Sequence, residues 1–439
     1  MPTIEGVVFF LAAAVLFFQP GEGLFGLVLI SAIFEASSIY AGTDHGIQPY
    51  YMVGLIYGLQ SIARGRWTAF SKLRFSGKRW VILFLTVAIL SALVLPHIFA
   101  GIPVYDPYVG VDDGLLIRPP LHPSLANITQ SVYLLLDAMV LFSAAASAQV
   151  GAFSEKAYRF AFQLLAGIVV LQFVCAMVGI HFPYELLQTH GGYSVQTAEV
   201  GDLSSRYPGT FTESSQAGFA LVTFASGFIA ERIQYGKSMV PLMISLFALV
   251  LIRSTTAFAA FAVVFFLLLI TNRAFRFPYY LNVAIFKRTI LLVALGAIAV
   301  SAAILSPLRS SIEDVTVNKS ETGSYVHRLA SDAYALQLAV ETKGLGVGMG
   351  SNRPSSLLTS LLSTVGIAGF ILFAGMFFQI TRNAKGERRW LQWACLGLIV
   401  DMAIGVPDYT APWLWVVLAL TVQAGGSDPE AATKALPAA

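Results

Sequence analysis

The sequence predicts an all-α polytopic membrane protein with about 12 or 13 transmembrane helices, formed by residues 1–439 as a single membrane domain. Hydrophobic residues make up 56% of the chain and charged residues only 12%, whereas about a quarter are charged in a typical soluble domain. Apolar runs near the length of one bilayer crossing, about 20 residues, recur along the whole chain. Transmembrane β-strands would instead appear as alternating segments of about ten residues. Helical spans are therefore expected.

The apolar stretches predict the spans in order. The stretch 239–271 is too long for one ordinary span and is interrupted, so it predicts two short helices that meet near Arg253. The stretch 390–424 is broken between Val406 and Pro412 and predicts a hairpin. A Pro-Gly turn separates the first two runs, and this hairpin leaves the count between 12 and 13. The other predicted spans are 4–18, 22–40, 47–63, 80–99, 126–148, 160–181, 214–231, 289–306 and 355–380.

Basic residues predict the orientation of the spans through the positive-inside rule. The segment after the third span is rich in them and is expected in the cytoplasm, and later basic clusters alternate with loops on the outer side. Two of the predicted outer loops are large, 182–213 and 307–354. The tail 425–439 is rich in Ala and Gly and is expected to be disordered. The cytoplasmic clusters are Arg64, Arg66, Lys72, Arg74, Lys78 and Arg79; Lys156 and Arg159; Arg232 and Lys237; Arg273, Arg276, Lys287 and Arg288; and Arg382, Lys385, Arg388 and Arg389.

Composition also argues against several kinds of partner. The net charge of +3 comes from basic residues beside apolar spans, so it does not indicate nucleic-acid binding. Cys175 and Cys395 lie far apart in apolar runs and imply no disulfide framework. No Cys/His cluster has metal-ligand spacing, so neither a metal nor another cofactor is expected.

The first candidate site is at the end of the loop 182–213, where residues 206–213 read Arg-Tyr-Pro-Gly-Thr-Phe-Thr-Glu. The Pro-Gly pair predicts a turn at Gly209 that would aim Arg206 across the mouth of the next span. Glu213, expected in the first helical turn, suits the helix dipole. Arg206 is therefore either part of an anion site or an interfacial side chain that pairs with Glu213.

The second candidate is Arg253, which interrupts an apolar run together with the hydroxyl residues at 254–256. A charge at bilayer depth costs roughly 2.5–3.5 kcal/mol on insertion scales, so such a residue usually lines a wet cavity or has a partner. A guanidinium suits bidentate recognition of phosphate. Thr255 and its neighbours could hold a polar ligand or satisfy freed backbone groups. A short outer turn that carries an arginine without function is the alternative.

The third candidate is a predicted helix over 325–343 in the second large loop. Arg328 and Asp332 are spaced i,i+4 there, and an ordinary surface ion pair of little energetic weight is one interpretation. His327 is either a general base, since imidazole titrates near neutral pH, or a solvated loop residue. The apolar stripe that predicts the helix consists of Leu329, Ala333, Leu336 and Val340.

A glycine-rich segment follows this helix and reads Lys343-Gly-Leu-Gly-Val-Gly-Met-Gly-Ser-Asn-Arg-Pro354, directly before the next span. Glycines let a backbone approach a ligand closely, and a helix N-terminus attracts anions. Gly348, Gly350, Asn352 and Arg353 are therefore candidate binding residues for a diphosphate. A flexible turn that re-enters the membrane is the alternative.

Together, the outer side offers several arginines above a membrane bundle, which fits a lipid-linked diphosphate whose tail lies in the bilayer. In these features the chain resembles the bacterial O-antigen polymerase and O-antigen ligase superfamily. The similarity rests on the motif at 206–211, the Arg253 segment two spans later, and the closing region. That closing region reads Gly344-Leu-Gly-Val-Gly-Met-Gly350 and then Leu361-Leu-Ser-Thr-Val-Gly-Ile-Ala-Gly-Phe370, so the motifs lie within residues 202–371.

The resemblance implies a glycosyltransferase of the bacterial inner membrane that acts at the periplasmic face on undecaprenyl-diphosphate-linked oligosaccharides. Besides this substrate and membrane lipids, a chain-length regulator is an expected partner. The family's arginines are taken to hold the donor diphosphate, which implies this role for Arg206, Arg253 and Arg328. Glu213, Asp332 or His327 could then deprotonate the acceptor hydroxyl.

One departure from the family pattern distinguishes two activities. Ligases carry a His-Asn pair after the glycine loop, where this chain reads Ser351-Asn352-Arg353. The departure favours polymerisation of O-antigen or exopolysaccharide repeat units. Ligation of finished polymer to a lipid acceptor is the first alternative. A transporter or flippase of an anionic lipid-linked substrate is the second, although the polar features concentrate in one half of the chain rather than in two matched halves.

Overall fold

The computed structural model of the protein describes residues 1–19, 22–40, 46–67, 73–105, 118–149, 151–191, 196–197, 205–271 and 323–426. Within these ranges the fold is all-helical, with fourteen α-helices and two isolated β-bridges but no strand. The predicted span 289–306 and nearly all of the tail 425–439 lie outside the described residues. So do five predicted cytoplasmic residues: Lys72, Arg273, Arg276, Lys287 and Arg288.

The helices are numbered here in chain order. They are α1 (Ile4–Phe18), α2 (Gly23–Ser31), α3 (Pro49–Ala63), α4 (Lys78–Ile98), α5 (Leu125–Ala148), α6 (Glu155–Met177), α7 (Ser214–Tyr235), α8 (Val240–Ile252), α9 (Thr255–Thr271), α10 (Gly323–Glu341), α11 (Leu357–Thr364), α12 (Gly366–Thr381), α13 (Trp390–Gly405) and α14 (Pro412–Gly426).

Several helices have the length or the apolar character of membrane helices. α4, α5 and α6 are long and apolar enough to cross a membrane, and five shorter apolar helices, α1, α8, α9, α12 and α14, contain 10–17 residues each. Large apolar side chains such as Leu90, Leu135 and Phe266 are exposed on the outside of the bundle. Exposed apolar surface on this scale is typical of a protein that contacts lipid. These helices indicate that the protein associates with a membrane.

The centre of the bundle is formed by α7 and α14, which are buried on nearly all sides. α7 in particular is rich in Ala, Gly and Ser, and small residues let neighbouring helices approach closely in a membrane protein. α7 packs against α8, α9 and α13, whereas α14 packs against α5. An aromatic cluster joins α6, α7, α13 and α14, with ring centroids of Tyr158 and Phe224 4.7 Å apart and those of Phe224 and Trp413 4.9 Å apart.

Three predicted elements differ in the structure, and the first is the span 22–40. Its helix ends at Ser31, because the following residues form hydrogen bonds to the loop after α6. The Ala36 backbone N–H donates to Thr210 O at 3.1 Å, and the Ser37 hydroxyl donates to Leu187 O at 2.7 Å. The segment after α2 is therefore part of a layer of loops.

The second difference is the predicted span 355–380, which consists of two helices. α11 ends at Thr364 and α12 begins at Gly366, whose φ of 72° lies in the left-handed region that favours glycine. A Cβ at Gly366 would lie 2.3 Å from Gly344 O, so this turn packs directly on the glycine-rich segment.

The third difference concerns the face of α10 that packs on the bundle. The helix predicted over 325–343 exists at Gly323–Glu341, but the predicted apolar stripe does not pack: Leu329, Leu336 and Val340 are exposed, the last by 77%. The buried face instead contains Ser331, Ala335 and Leu338. Leu338 packs in a small apolar cluster with Val104, Leu121 and Val347, and this contact determines the orientation of the helix.

The loops converge at one end of the bundle. Besides the contacts of the segment after α2, Arg353 pairs with Asp408 at 2.9 Å, and Tyr51 at the start of α3 donates to Thr410 O at 3.3 Å. The predicted break at Arg253 is confirmed, because α8 ends at Ile252 and α9 begins at Thr255. The candidate residues of the sequence therefore lie on a common layer of loops and helix ends.

Candidate functional site

Arg206 stands on a rigid turn. The side-chain amide of Gln172 in α6 accepts a hydrogen bond from Gly209 N–H and donates one to Gly209 O, both at 2.8 Å. Gly209 has a φ of 68°, and a Cβ there would lie 2.9 Å from Leu165 Cδ1, so only glycine fits. Tyr207 and Phe211 are buried on either side. The turn at Gly209 thus positions Arg206. The predicted contact of Gly209 itself with a ligand stays a prediction.

Arg253 lies on the sharp turn between α8 and α9. Its backbone is left-handed, with φ of 51° and ψ of 40°, a conformation that costs a non-glycine residue of order 1 kcal/mol or more. Its side chain is half-buried. The Ser254 hydroxyl lies 2.8 Å from the Thr256 hydroxyl, and the half-buried Thr255 begins α9 beside them. A position that normally takes glycine therefore carries a guanidinium.

Arg328 reaches this turn from α10. A Cβ added to Gly405, at the end of α13, would lie 3.5 Å from Arg328 Nη1 and 2.9 Å from Thr256 Cγ2. The missing side chain at Gly405 therefore leaves room for the guanidinium beside the start of α9. Tertiary packing therefore brings α10 beside the start of α9, although the two helices begin about 70 residues apart in the sequence.

Arg206, Arg253 and Arg328 form one electrostatic group, which we call the arginine cluster. The Arg206 side chain is exposed, yet enough protein surrounds it that desolvation lowers its pKa, and the charges of Arg328 and Arg253 lower it further. Glu213 opposes this effect with a single negative charge. Among the residues that the structure describes, neither Arg206 nor Arg328 forms an ion pair with a carboxylate. The cluster therefore has an excess of positive charge.

The candidate bases have different surroundings. Glu213 precedes α7 at its N-cap position and accepts a hydrogen bond from the Ser215 hydroxyl at 3.0 Å. His327 is half-buried on α10 next to Arg328. Asp332 does not pair with Arg328: its Oδ1 accepts from Ser355 N–H and the Thr359 hydroxyl, both at 2.8 Å, and from Ser356 N–H at 3.2 Å. Asp332 holds the N-terminus of α11.

The glycine-rich segment has a packing role that the sequence reasoning did not foresee. Its four glycines all have positive φ. Gly346 N–H donates to the Thr342 hydroxyl, Gly348 N–H to Thr364 O and Met349 N–H to the Ser91 hydroxyl, at 2.9–3.2 Å. These N–H groups are therefore occupied by protein acceptors.

Close packing explains why glycine recurs in this segment. A Cβ on Gly348 would lie 2.8 Å from Pro96 Cδ and from Ser91 O, and one on Gly350 would lie 2.7 Å from Ala126 O. The segment is wedged against α4 and α5. Ligand binding by Gly348 and Gly350 stays a prediction, to which this geometry adds no support.

The last two candidates of the sequence lie just beyond. Asn352 is buried, accepts from Tyr105 N–H at 3.0 Å and donates to the Ser363 hydroxyl at 3.1 Å, so its amide is engaged within the protein. Arg353 faces a cavity of about 90 Å³ and pairs there with Asp408.

That cavity is the feature that sequence reasoning missed. Besides Arg353 and Asp408 it is lined mostly by residues with hydrogen-bonding side chains. They come from the loops after α2 and α6, from α3, α5 and α7, and from around the start of α14: Glu35, Gln48, Tyr51, Gln130, Tyr133, His190, Gln216, Thr410, Ala411 and Pro412. Glu35 offered a usable signal, because a lone carboxylate in an apolar run invites the same argument as Arg253.

Glu35 lies outside the helices, and its environment perturbs it strongly. Burial raises its pKa to about 8, with further contributions from the charges of Asp408 and Glu213, while Arg353 and a hydrogen bond from the Thr212 backbone oppose the rise. Its Oε2 is buried and has no hydrogen-bond partner among the described residues. Glu213 interacts electrostatically with both Glu35 and Arg206, so the cavity and the arginine cluster are neighbours.

No protein-family model matches the chain, and no curated protein matches it in a sequence search.

Proposed function

We propose that the protein is a membrane glycosyltransferase that polymerises undecaprenyl-diphosphate-linked oligosaccharide repeat units at the periplasmic face of the bacterial inner membrane. The observation that carries the proposal is the arginine cluster: guanidinium groups from three separate parts of the chain converge at one end of an apolar helical bundle. A diphosphate on a polyprenyl tail matches both features, because its charge suits the cluster and its tail suits the lipid.

The chemistry needs little beyond this arrangement. The diphosphate is a good leaving group, so the enzyme mainly has to stabilise the charge that develops on it and to orient the acceptor. Guanidinium groups bind phosphate oxygens bidentately and keep their charge at any working pH. Arg253 supports this role in a second way, since it carries its guanidinium on a strained backbone, and such strain is found most often at functional sites.

The test uses lipid-linked repeat units isolated from a strain of the source bacterium that lacks this protein. The purified protein is mixed with these units, and the products are separated on a gel beside those of Arg206→Ala. We expect a ladder from the wild type and none from the variant, because loss of one charged contact to the transition state removes a factor of roughly 10–100 or more.

Other outcomes would identify other activities. A single product that appears only when finished polymer and a lipid acceptor are supplied would indicate ligation. An unchanged donor band, with donor shown to be active by a known polymerase, would overturn the proposal. Movement of the labelled lipid across vesicles that contain the protein would then indicate a transporter.

A further inference from the structure

We propose that the cavity beside the arginine cluster receives the reacting hydroxyl of the acceptor sugar, and that Glu35 is the base that takes its proton. The inference rests on the proposed function and adds a second subsite and a catalytic residue to it. Neither the cavity nor Glu35 was among the candidates of the sequence.

The lining of the cavity suits a sugar hydroxyl. Amide, hydroxyl and carboxylate side chains surround it, and the rings of Tyr51 and Tyr133 stack 4.0 Å apart at one side. Sugars present many hydroxyl groups, each able to donate and accept, and apolar ring faces that pack on aromatic rings. At about 90 Å³ the cavity has the space of roughly three waters, so it admits one edge of a sugar rather than a whole ring.

Two polar atoms in the wall have no partner among the described residues. They are Glu35 Oε2 and Gln48 Oε1, and Gln48 as a whole residue is only 6% exposed. Buried polar atoms are nearly always hydrogen-bonded in folded proteins, so once Glu35 is ionised these two acceptors at one cavity indicate a ligand that donates. A sugar hydroxyl is such a donor.

The other carboxylates that the structure describes near the site are already engaged. Asp408 pairs with Arg353, Asp332 accepts three hydrogen bonds at the N-terminus of α11, and Glu213 accepts from the Ser215 hydroxyl. Glu35 alone among these four has a buried oxygen without a partner. Burial, and after it the negative charge of Asp408, raises the pKa of Glu35 to about 8, close to the working pH that suits a general base.

The reaction then proceeds in one displacement. The acceptor oxygen forms a bond to the anomeric carbon of the donor sugar while its proton passes to Glu35 Oε2. The bond between that carbon and the diphosphate oxygen breaks, and its electron pair leaves on undecaprenyl diphosphate, where the arginine cluster stabilises the added charge. Glu35 afterwards returns its proton to water.

A titration provides the first test. A base with a pKa of about 8 must be ionised to act, so the polymerisation rate should rise with pH up to about that value and then level off. The groups that face Glu35 and could alter the profile are Asp408, Glu213, Arg353, His190, Tyr51 and Tyr133. The rise should be absent from the residual activity of Glu35→Gln.

Glu35→Gln is the decisive variant. We expect it to lose about 100-fold or more of the polymerisation rate, as removal of a general base usually does, and to bind undecaprenyl diphosphate in nanodiscs as the wild type does. Glu185→Gln is the control, because the Glu185 side chain is 75% exposed in the loop after α6 and contacts His181, so the polymerisation rate of this variant should not change.

The fold of Glu35→Gln can be checked independently. Because the pKa of Glu35 is raised from 4.5 to about 8, the folded protein keeps a proton that the unfolded chain releases, and stability falls as the pH rises between these values. Glutamine removes that loss, so the thermal midpoint of the variant at pH 8 should equal or exceed that of the wild type.

The outcomes separate this inference from the proposed function. If the wild type makes no ladder, the proposed function fails and this inference fails with it. If the wild type is active and Arg206→Ala is not, but Glu35→Gln polymerises within about threefold of the wild type, only the assignment of Glu35 is overturned. Loss of undecaprenyl diphosphate binding in Glu35→Gln would also overturn it, because Glu35 would then support the arginine cluster instead of the acceptor.

Discussion

The arginine cluster and the glycine-rich segment both match sequence patterns for anion binding, yet the structure uses their hydrogen-bond donors differently. The N–H groups of Gly346, Gly348 and Met349 donate to protein acceptors. Arg206 and Arg328 form no ion pair within the described part of the chain, and desolvation and like charges lower the pKa of Arg206. An anion site requires donors that the fold leaves available, and only the cluster meets that requirement.

The two regions also differ in why their backbones are left-handed. In the glycine-rich segment positive φ lets the chain approach α4 and α5, and glycine adopts it without strain. Arg253 adopts it at a cost of order 1 kcal/mol. The first region uses the conformation for packing, whereas the second retains a side chain in spite of it. Substitutions should therefore affect stability in one region and affinity in the other.

Gly346→Ala should have the largest effect on stability. The added Cβ would lie 2.6 Å from Thr364 O on a backbone with φ of 82°, so both a clash and strain oppose it. We expect a loss of about 3 kcal/mol or more, seen as a lower thermal midpoint in detergent. Protein that remains folded below the new midpoint should bind undecaprenyl diphosphate normally. An unchanged midpoint with lost binding would mean that the segment does contact the ligand.

Arg328→Ala should have the opposite pattern. The side chain is half-buried and forms no ion pair with the carboxylates that the structure describes, so its removal should leave the thermal midpoint nearly unchanged. Loss of a charged hydrogen bond costs about 1.5–3 kcal/mol, so the Kd for undecaprenyl diphosphate should rise roughly 10- to 100-fold.

The matched control for this variant is Arg118→Ala. Arg118 lies before α5 and stacks on Tyr334, which is on α10 like Arg328. The guanidinium carbon of Arg118 is 4.5 Å from the ring centroid. Its replacement should change the Kd by less than about threefold, because its charge is engaged away from the cluster. If the two variants raise the Kd equally, the ligand responds to the overall positive charge of this surface and not to the arginine cluster.

The sequence predicted the parts of this site that depend on local chemistry. A charge flanked by hydroxyls inside an apolar run predicted the break at Arg253, and the Pro-Gly pair predicted the turn that carries Arg206. The meeting of Arg206 with Arg328 depends on how α10 packs, and periodicity selected the wrong face of α10. A pattern shows that a helix has an apolar side, but it does not show which side finds a partner.

The errors at Asp332 and Glu35 have the same origin. Spacing of i,i+4 predicted a pair with Arg328, but α11 supplies Asp332 with better donors from a distant part of the sequence. Glu35 was hidden in a predicted span because hydropathy does not register hydrogen bonds between the segment after α2 and the loop after α6. Long-range backbone contacts, which leave no local signal, decided both cases.

The smallest expected change in stability comes from replacing a strained non-glycine residue with glycine, and it separates backbone strain from ligand binding at Arg253. Arg253 and Lys343 are the two described non-glycine residues with positive φ, 51° and 54°, and Lys343 is exposed at the end of α10. Replacing either with glycine relieves the strain but adds freedom to the unfolded chain, so each variant should gain at most about 0.5–1 kcal/mol, measured as a slightly higher thermal midpoint. Only Arg253→Gly should lose affinity for undecaprenyl diphosphate. If it keeps its affinity, or if Lys343→Gly loses as much, the strained backbone at Arg253 is incidental and the cluster consists of Arg206 and Arg328 alone.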